Sequence, residues 1–123
     1  MPHLASLPAA PATFRCDVVP ERDRVRVALA GELDLASAPH LERSVWELVD
    51  AGFEHVIVDL TELDFLDASG LRALLRLQAS SADGAFQFEL KPGPPSVQRI
   101  FELSGTADLL TFIVPPNRRY SAR

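Results

Sequence analysis

Hydrophobic residues follow the spacing of β-strands in five segments of this chain. Residues 85–90 alternate between polar and apolar positions, as a strand with one buried face does, and residues 25–30 alternate at first and then become wholly apolar, as a strand entering the core does. Residues 56–58 form a short continuous apolar run, which is typical of a central strand covered on both faces. Residues 13–19 predict a further strand, and residues 109–114 predict a short strand that closes the domain.

Between these segments, apolar residues recur every three or four positions, which predicts amphipathic helices. Ser37 stands just before Pro39 as an expected N-cap, and Gly52 is expected just beyond the end of this first helix. A later helix opens at residues 94–96 and ends before Gly105. The residues expected to face the core are Leu41, Val45, Leu48 and Val49, then Leu71, Leu74, Leu75 and Gln78 of the helix that follows residue 67, and finally Val97, Ile100, Phe101 and Leu103.

Strands and helices therefore alternate with short connections, which predicts an α/β fold. We expect one domain, residues 13–114, with a mixed, largely parallel sheet of about four or five strands packed against about four helices. The first two strands resemble a hairpin and would add an antiparallel edge. Residues 1–12 and 115–123 are rich in proline and lack periodicity, so we expect flexible tails there.

Composition narrows the possible functions. The 123 residues carry 12 Lys and Arg against 17 Asp and Glu, a net charge of −5, with no basic stripe, which disfavours nucleic-acid binding. The single cysteine, Cys16, excludes an internal disulfide and a multi-cysteine metal site. No basic leader and no apolar run of about 20 residues is present. We expect a soluble cytoplasmic protein without cofactor or membrane partner, and a monomer rather than an oligomer.

The most informative stretch is residues 56–78, which predicts a buried strand, an acidic loop and a helix. Asp67, Ser69 and Gly70 lie in the first turn of that helix, where backbone N–H groups have no intrahelical partner and the helix dipole is positive. Ser69 has two interpretations. It is a phosphoacceptor, with Gly70 leaving room for an incoming γ-phosphate, or it is an N-cap, and spacing alone favours the cap.

Several carboxylates are candidates for the surroundings of Ser69. A phosphate there would add nearly two negative charges to a neighbourhood predicted to be acidic, made of Asp59, Glu62, Asp64 and Asp67. Asp34 follows a strand end, and one hypothesis places Asp34 and Asp59 on either side of Ser69, where a carboxylate would orient the hydroxyl. The alternative, which is commoner for such residues, is an aspartate that accepts hydrogen bonds from a turn.

Intrinsic catalysis is not supported by any motif. The chain lacks a Gly-x-Ser-x-Gly nucleophile elbow, a Walker A loop and a dinucleotide-binding fingerprint. Its histidines show neither metal-ligand spacing nor a context that would make one of them a base for Ser69; they are His3, His40 and His55.

Other residues on the predicted surface have weaker interpretations. Arg72 and Arg76 are four residues apart on the helix face opposite the leucines, which indicates a solvated face or the rim of a docking surface. Trp46 is expected in the core, and Phe65 is compatible with either core or surface.

Three segments, in order, carry a family resemblance. They are GELDLASAP at residues 31–39, VDL and then FLDASGL within residues 58–71, and VQRIFELSG at residues 97–105. Together they resemble the STAS family, and within it the bacterial anti-sigma factor antagonists. The resemblance covers residues 13–114, and three motifs in order are more specific than any one alone.

The resemblance implies a partner-switching regulator and not an enzyme. An antagonist of this family binds an anti-sigma factor that is a serine kinase of the histidine-kinase-like ATPase type, and thereby frees a sigma factor. Phosphorylation of the serine before the motif glycine abolishes binding, and a serine phosphatase restores it. By this matching Ser69 is the acceptor, Asp34 is an acidic neighbour, and Asp67 begins the motif. Ala68 replaces the family's first serine, which leaves Ser69 as the single candidate.

The sequence therefore predicts a phosphorylation site at Ser69 and a surrounding partner-binding surface. That surface comprises Asp34, Asp59, Asp64, Asp67, Ala68, Gly70, Leu71 and Arg72. Two alternatives stay open: a constitutive STAS interaction module in which Ser69 is only a cap, and a nucleotide-binding STAS domain that uses the helix N-terminus as an anion site.

Overall fold

A computed structural model of the chain describes residues 11–113. Apart from Pro11 and Ala12, the two predicted tails lie outside the described residues, as does Val114. The strands are Phe14–Pro20 (β1), Val25–Leu33 (β2), His55–Leu66 (β3) and Gln87–Lys91 (β4).

The strands form one sheet in the order β1-β2-β3-β4. β1 pairs with β2 antiparallel, and β2, β3 and β4 run parallel to one another. The predicted α/β class, the largely parallel sheet and the antiparallel edge strand are therefore confirmed. Parallel neighbours need a crossover, and a helix supplies it after β2 and again after β3.

The described residues contain three α-helices, somewhat fewer than the four or so expected. They are Ala38–Asp50 (α1), Ala68–Ser81 (α2) and Pro95–Ser104 (α3), and a short 3-10 turn follows at Ala107–Leu109. α1 and α2 pack against each other and the sheet, whereas α3 packs against β3 and the 3-10 turn. None of these helices is long and apolar enough to cross a bilayer.

The core lies between the sheet and the helices. The largest side chains buried there are Phe101, Leu29, Leu33, Leu41, Leu60, Leu63, Leu74, Leu77 and Leu90. β3 is buried at five consecutive positions, from Val56 to Leu60, as the continuous apolar run predicts for a strand covered on both faces.

The segment predicted as an acidic loop is instead the second half of β3. Two irregularities in the β2–β3 pairing each insert one extra residue into β3, once between Asp59 and Glu62 and once between Leu63 and Phe65. The bulges replace strict alternation with a spacing of three, so Leu63 and Leu66 point inward while the residues around them are exposed. A bulged strand without a period of two reads as a loop in the sequence, which explains this error.

Three core expectations are wrong. Leu103 is 78% exposed, because six residues after Val97 it lies about 240° around the helix, off the buried stripe. Trp46 is 38% exposed and packs edge-on against Phe86 at the rim, with ring centroids 5.5 Å apart. On α2, Leu77 is fully buried, whereas Gln78 is only half-buried.

The strand predicted at residues 109–114 is also absent from the described residues. Leu109 ends the 3-10 turn, and beyond it only a single bridge joins Phe112 to Leu90. There the Leu90 amide donates to the Thr111 carbonyl at 2.9 Å, and the Ile113 amide donates to the Leu90 carbonyl at 2.8 Å. These contacts cover part of the outer edge of β4.

Candidate functional site

Asp67, and not Ser69, caps α2. Its backbone is extended, and its Oδ1 accepts a hydrogen bond from the Gly70 amide at 2.9 Å, as an N-cap side chain does. The Asp67 amide in turn donates to the Leu33 carbonyl at 3.2 Å, which ties the start of the helix to the end of β2. Ser69 is the second residue of the helix, and its hydroxyl forms no hydrogen bond within residues 11–113.

Gly70 has a packing role that differs from the one expected. A Cβ atom there would lie 2.4 Å from the Leu33 carbonyl oxygen and 2.8 Å from Cδ1 of Leu66. Gly70 therefore faces the core and lets the first turn of α2 sit directly on the end of β2. The side of Gly70 where a Cβ would point is filled by the protein itself, and the room expected there for an incoming phosphate stays a prediction.

Ser69 is half-buried and lines a shallow depression of about 160 Å³ between α1 and α2. The lining residues are Leu35, Ala38, Pro39, Glu42, Ser69, Arg72 and Arg76. This set holds two arginines and one carboxylate. None of the four carboxylates predicted around Ser69, Asp59, Glu62, Asp64 and Asp67, is among the lining residues of this depression.

The two arginines of the depression differ in their contacts. Arg76 donates from Nε and Nη2 to the two carboxylate oxygens of Glu42, at 2.9 and 2.7 Å, and so joins α2 to α1. Arg72 is exposed and forms no ion pair with the residues that the structure describes. On the predicted solvated face, Arg76 is therefore held in an ion pair, whereas Arg72 forms none with the residues that the structure describes.

Asp34 builds the turn before α1. Its Oδ1 accepts hydrogen bonds from the Ala36 and Ser37 amides at 3.0 and 3.1 Å. These are the contacts of an aspartate-stabilised turn. The next residue, Leu35, is 75% exposed and reaches the wall of the depression. Asp34 therefore positions that wall, and no hydrogen bond joins its carboxylate to Ser69.

Asp59 lies away from this site. It pairs with Ala28, five residues before the end of β2, so it is roughly 16 Å of strand from the start of α2. Its Oδ1 accepts from the amide and hydroxyl of Thr61 at 2.9 and 2.5 Å, and its Oδ2 accepts from Arg26 at 3.2 Å. The hypothesis that Asp34 and Asp59 flank Ser69 is wrong for Asp59.

Burial alone would raise the pKa of Asp59, but its contacts outweigh that effect. The hydrogen bonds from Thr61 and the charges of Lys91 and Arg26 favour the ionised carboxylate, so its pKa lies below the usual value for aspartate. Asp59 is thus an ionised structural residue within the sheet.

The second half of β3 places an exposed apolar side chain at this end of the molecule. Phe65 is 48% exposed, and Asp64 beside it is exposed as well. The sequence does not decide whether Phe65 is buried or exposed. It also does not indicate that Leu35 or Glu42 belongs to the site. The packing of α1 against α2 brings Glu42 to the depression, and the turn before α1 brings Leu35 there; the sequence carries no direct signal of either placement.

Within residues 11–113, no group of three or more His, Cys, Asp or Glu side chains is arranged to hold a metal ion. The lining of the depression offers the Ser69 hydroxyl, the Glu42 carboxylate and two arginines.

Comparison with known proteins places this geometry in a family. The family model for the STAS domain matches residues 18–116, which is most of the chain. The chain belongs to the STAS domain family. The segment from Ser69 through α2 lies within the matched region.

Individual relatives agree on one kind of regulator. The Bordetella bronchiseptica protein BtrV, provisionally named an anti-sigma factor antagonist, is 32% identical over 77 residues, 63% of this chain and 66% of BtrV. The match thus spans slightly less than two thirds of that relative. An anti-sigma factor antagonist from Mycobacterium paratuberculosis superposes with a TM-score of 0.71 at 22% identity, over 93% of this chain and 97% of the other.

A third likeness concerns a phosphorylated protein. The Bacillus cell fate determinant SpoIIAA in its phosphorylated form superposes with a TM-score of 0.59 at 22% identity, over 89% of this chain and 99% of the other. At this identity the likeness shows the shared fold.

Proposed function

We propose that this STAS protein is an anti-sigma factor antagonist controlled by phosphorylation of Ser69. Unphosphorylated, it binds an anti-sigma factor that is a serine kinase of the histidine-kinase-like ATPase type, in the cytoplasm, and so releases a sigma factor. The kinase transfers the γ-phosphoryl group of ATP to the Ser69 Oγ. The bond from phosphorus to the β,γ-bridging oxygen breaks, ADP leaves, and the hydroxyl proton passes to a base of the kinase. A serine phosphatase reverses the modification.

One observation supports the proposal: among the residues that the structure describes, nothing bonds to the Ser69 hydroxyl, and Asp67 already caps the helix start where it stands. A capping hydroxyl would have to give up a structural hydrogen bond before it could react. Ser69 loses none, so its modification leaves the cap of α2 in place. The name of BtrV and the existence of a phosphorylated SpoIIAA support the same function.

The surface around Ser69 has the character of a docking site. Exposed apolar side chains, Leu35 and Phe65, lie at the same end of the domain as the available charge of Arg72. A standard interface buries about 800 Å² per partner, so a partner that docks here would also cover residues around the depression. A phosphate at Ser69 would introduce bulk and charge where the partner must displace water. A loss of about 3 to 4 kcal/mol would weaken binding several-hundredfold.

The test is calorimetric titration of the partner kinase with variants at Ser69. We expect Ser69→Ala to bind as the wild type does, and Ser69→Asp to lose most of the affinity. Ser96 offers a matched control, because it is also the second residue of a helix, is exposed, and precedes an arginine by three positions. Ser96→Asp should bind normally. Unchanged binding of Ser69→Asp would instead favour a constitutive interaction module.

A further inference from the structure

The depression beside Ser69 has a positive balance of charge on a chain whose net charge is −5. Arg72 and Arg76 contribute two positive charges to its lining, and Glu42 contributes the single negative one. An anionic group attached to Ser69 would therefore meet a local field opposite in sign to that of the whole protein.

The two arginines are not equivalent as partners for such a group. Arg76 is held by Glu42 through two hydrogen bonds and would have to leave that carboxylate to bind another anion. Arg72 has no competing ion pair among the described residues. It also follows Ser69 by three positions on α2, a spacing that places two side chains on the same helix face.

We propose that Arg72 is an intramolecular phosphate-binding residue, which holds the phosphate of phosphorylated Ser69 within this depression. The Arg76–Glu42 pair stays in place as the far wall. This inference rests on the proposed function, because it concerns the modified state of the same serine. It gives phosphorylation a second effect besides the added charge: Arg72 is occupied and no longer available to a carboxylate of the partner. A guanidinium suits this role since it stays charged and donates two parallel hydrogen bonds to phosphate oxygens.

The inference predicts a property of the phosphate itself. A phosphoserine has a second pKa of about 6. A neighbouring cation stabilises the dianion, so the second pKa should be lower in the wild type than in Arg72→Ala, by a few tenths of a pH unit for a solvent-exposed pair. Raising the salt concentration should reduce the difference, because exposed charges are screened.

The experiment is a pH titration followed by phosphorus NMR on full-length protein. Phosphoserine is introduced at position 69 by genetic-code expansion, so that the sample does not depend on any kinase. The variants are Arg72→Ala, Arg72→Lys and, as a control, Arg99→Ala, which removes an exposed arginine from a separate groove on α3. We expect the phosphate pKa to rise in Arg72→Ala, to recover partly in Arg72→Lys, and to stay at the wild-type value in Arg99→Ala.

Two results would overturn the inference. One is the same phosphate pKa in the wild type and Arg72→Ala, and the other is an equal rise in Arg99→Ala, which would indicate only a change in overall charge. Neither result bears on whether the kinase modifies Ser69. Conversely, a kinase that ignores Ser69 would refute the proposed function and leave the NMR comparison intact. The two proposals can therefore fail separately.

Discussion

Two serines stand at two helix starts in this domain, and their hydroxyl groups have opposite fates. Ser37 opens α1 and is fully buried: its Oγ accepts from the Asp34 amide at 2.8 Å and donates to the Glu32 carbonyl at 2.7 Å. Ser69 lies in the first turn of α2, is half-buried, and its hydroxyl is unbonded within residues 11–113. A serine near a helix start is structural where its oxygen completes a turn, and available for reaction where another residue performs the capping.

The aspartates explain the difference. Asp34 cannot satisfy the turn before α1 alone, since its own amide needs the Ser37 hydroxyl as acceptor. Asp67 reaches the Gly70 amide directly and leaves Ser69 free. The same residue types therefore give a closed turn at the end of β2 and a serine without a capping role at the end of β3.

The largest effect is expected where α2 meets β2. Gly70→Ala forces a Cβ to within 2.4 Å of the Leu33 carbonyl, so the helix start must shift. Overpacking of this kind costs about 3 kcal/mol of unfolding free energy. Urea denaturation measures it. A loss below about 0.5 kcal/mol would show that the contact between α2 and β2 is not tight.

The next largest effect is the difference in unfolding free energy between Ser37→Ala and Ser69→Ala. Ser37→Ala leaves the Glu32 carbonyl and the Asp34 amide without their partner in a buried site, which costs about 2 kcal/mol. Ser69→Ala removes no hydrogen bond and should change the unfolding free energy by less than about 0.5 kcal/mol. Equal unfolding free energies of the two variants in the same denaturation assay would contradict the distinction between a structural Ser37 and a non-structural Ser69.

Loss of the cap should cost less than loss of the Ser37 hydroxyl but more than loss of the Ser69 hydroxyl. Asp67→Ala should destabilise the domain by about 1 kcal/mol, whereas Asp67→Asn, which keeps a capping oxygen, should retain most of the stability. Chemical denaturation of both variants gives the answer. If Asp67→Ala were neutral while Ser69→Ala were destabilising, the capping role would belong to Ser69 after all.

The fold was largely accessible from the sequence because its elements follow simple periods. The apolar runs locate all four strands, and the helix that ends at Gly105 stops where a left-handed glycine, with φ of +74°, terminates it. The second half of β3 was not accessible, because two bulges remove the alternation that marks a strand. Leu103 is wrongly predicted to be buried, because a residue six positions after Val97 lies on a different face of the helix from the buried stripe.

The candidate site was only half accessible. The motif points to Ser69 and Asp67, but not to which of them caps the helix, since both are good caps and only the geometry of Gly70 separates them. Asp59 is predicted near Ser69 because it follows the apolar run of a strand, but this strand continues for seven more residues. Glu42 and Leu35 are not predictable, because tertiary packing brings both to the site: Glu42 by the packing of α1 on α2, and Leu35 by the turn before α1.

We propose that the hydroxyl of Ser69, which is unbonded within residues 11–113, accepts the phosphoryl group, and not the bonded hydroxyl of Ser37. The most direct measurement is peptide mass spectrometry of the wild type and Ser69→Ala after incubation with the partner kinase and ATP. We expect one phosphate on the wild type, located at Ser69, and none on Ser69→Ala. A phosphate located at Ser37 or at any other residue, or equal modification of Ser69→Ala, would contradict it.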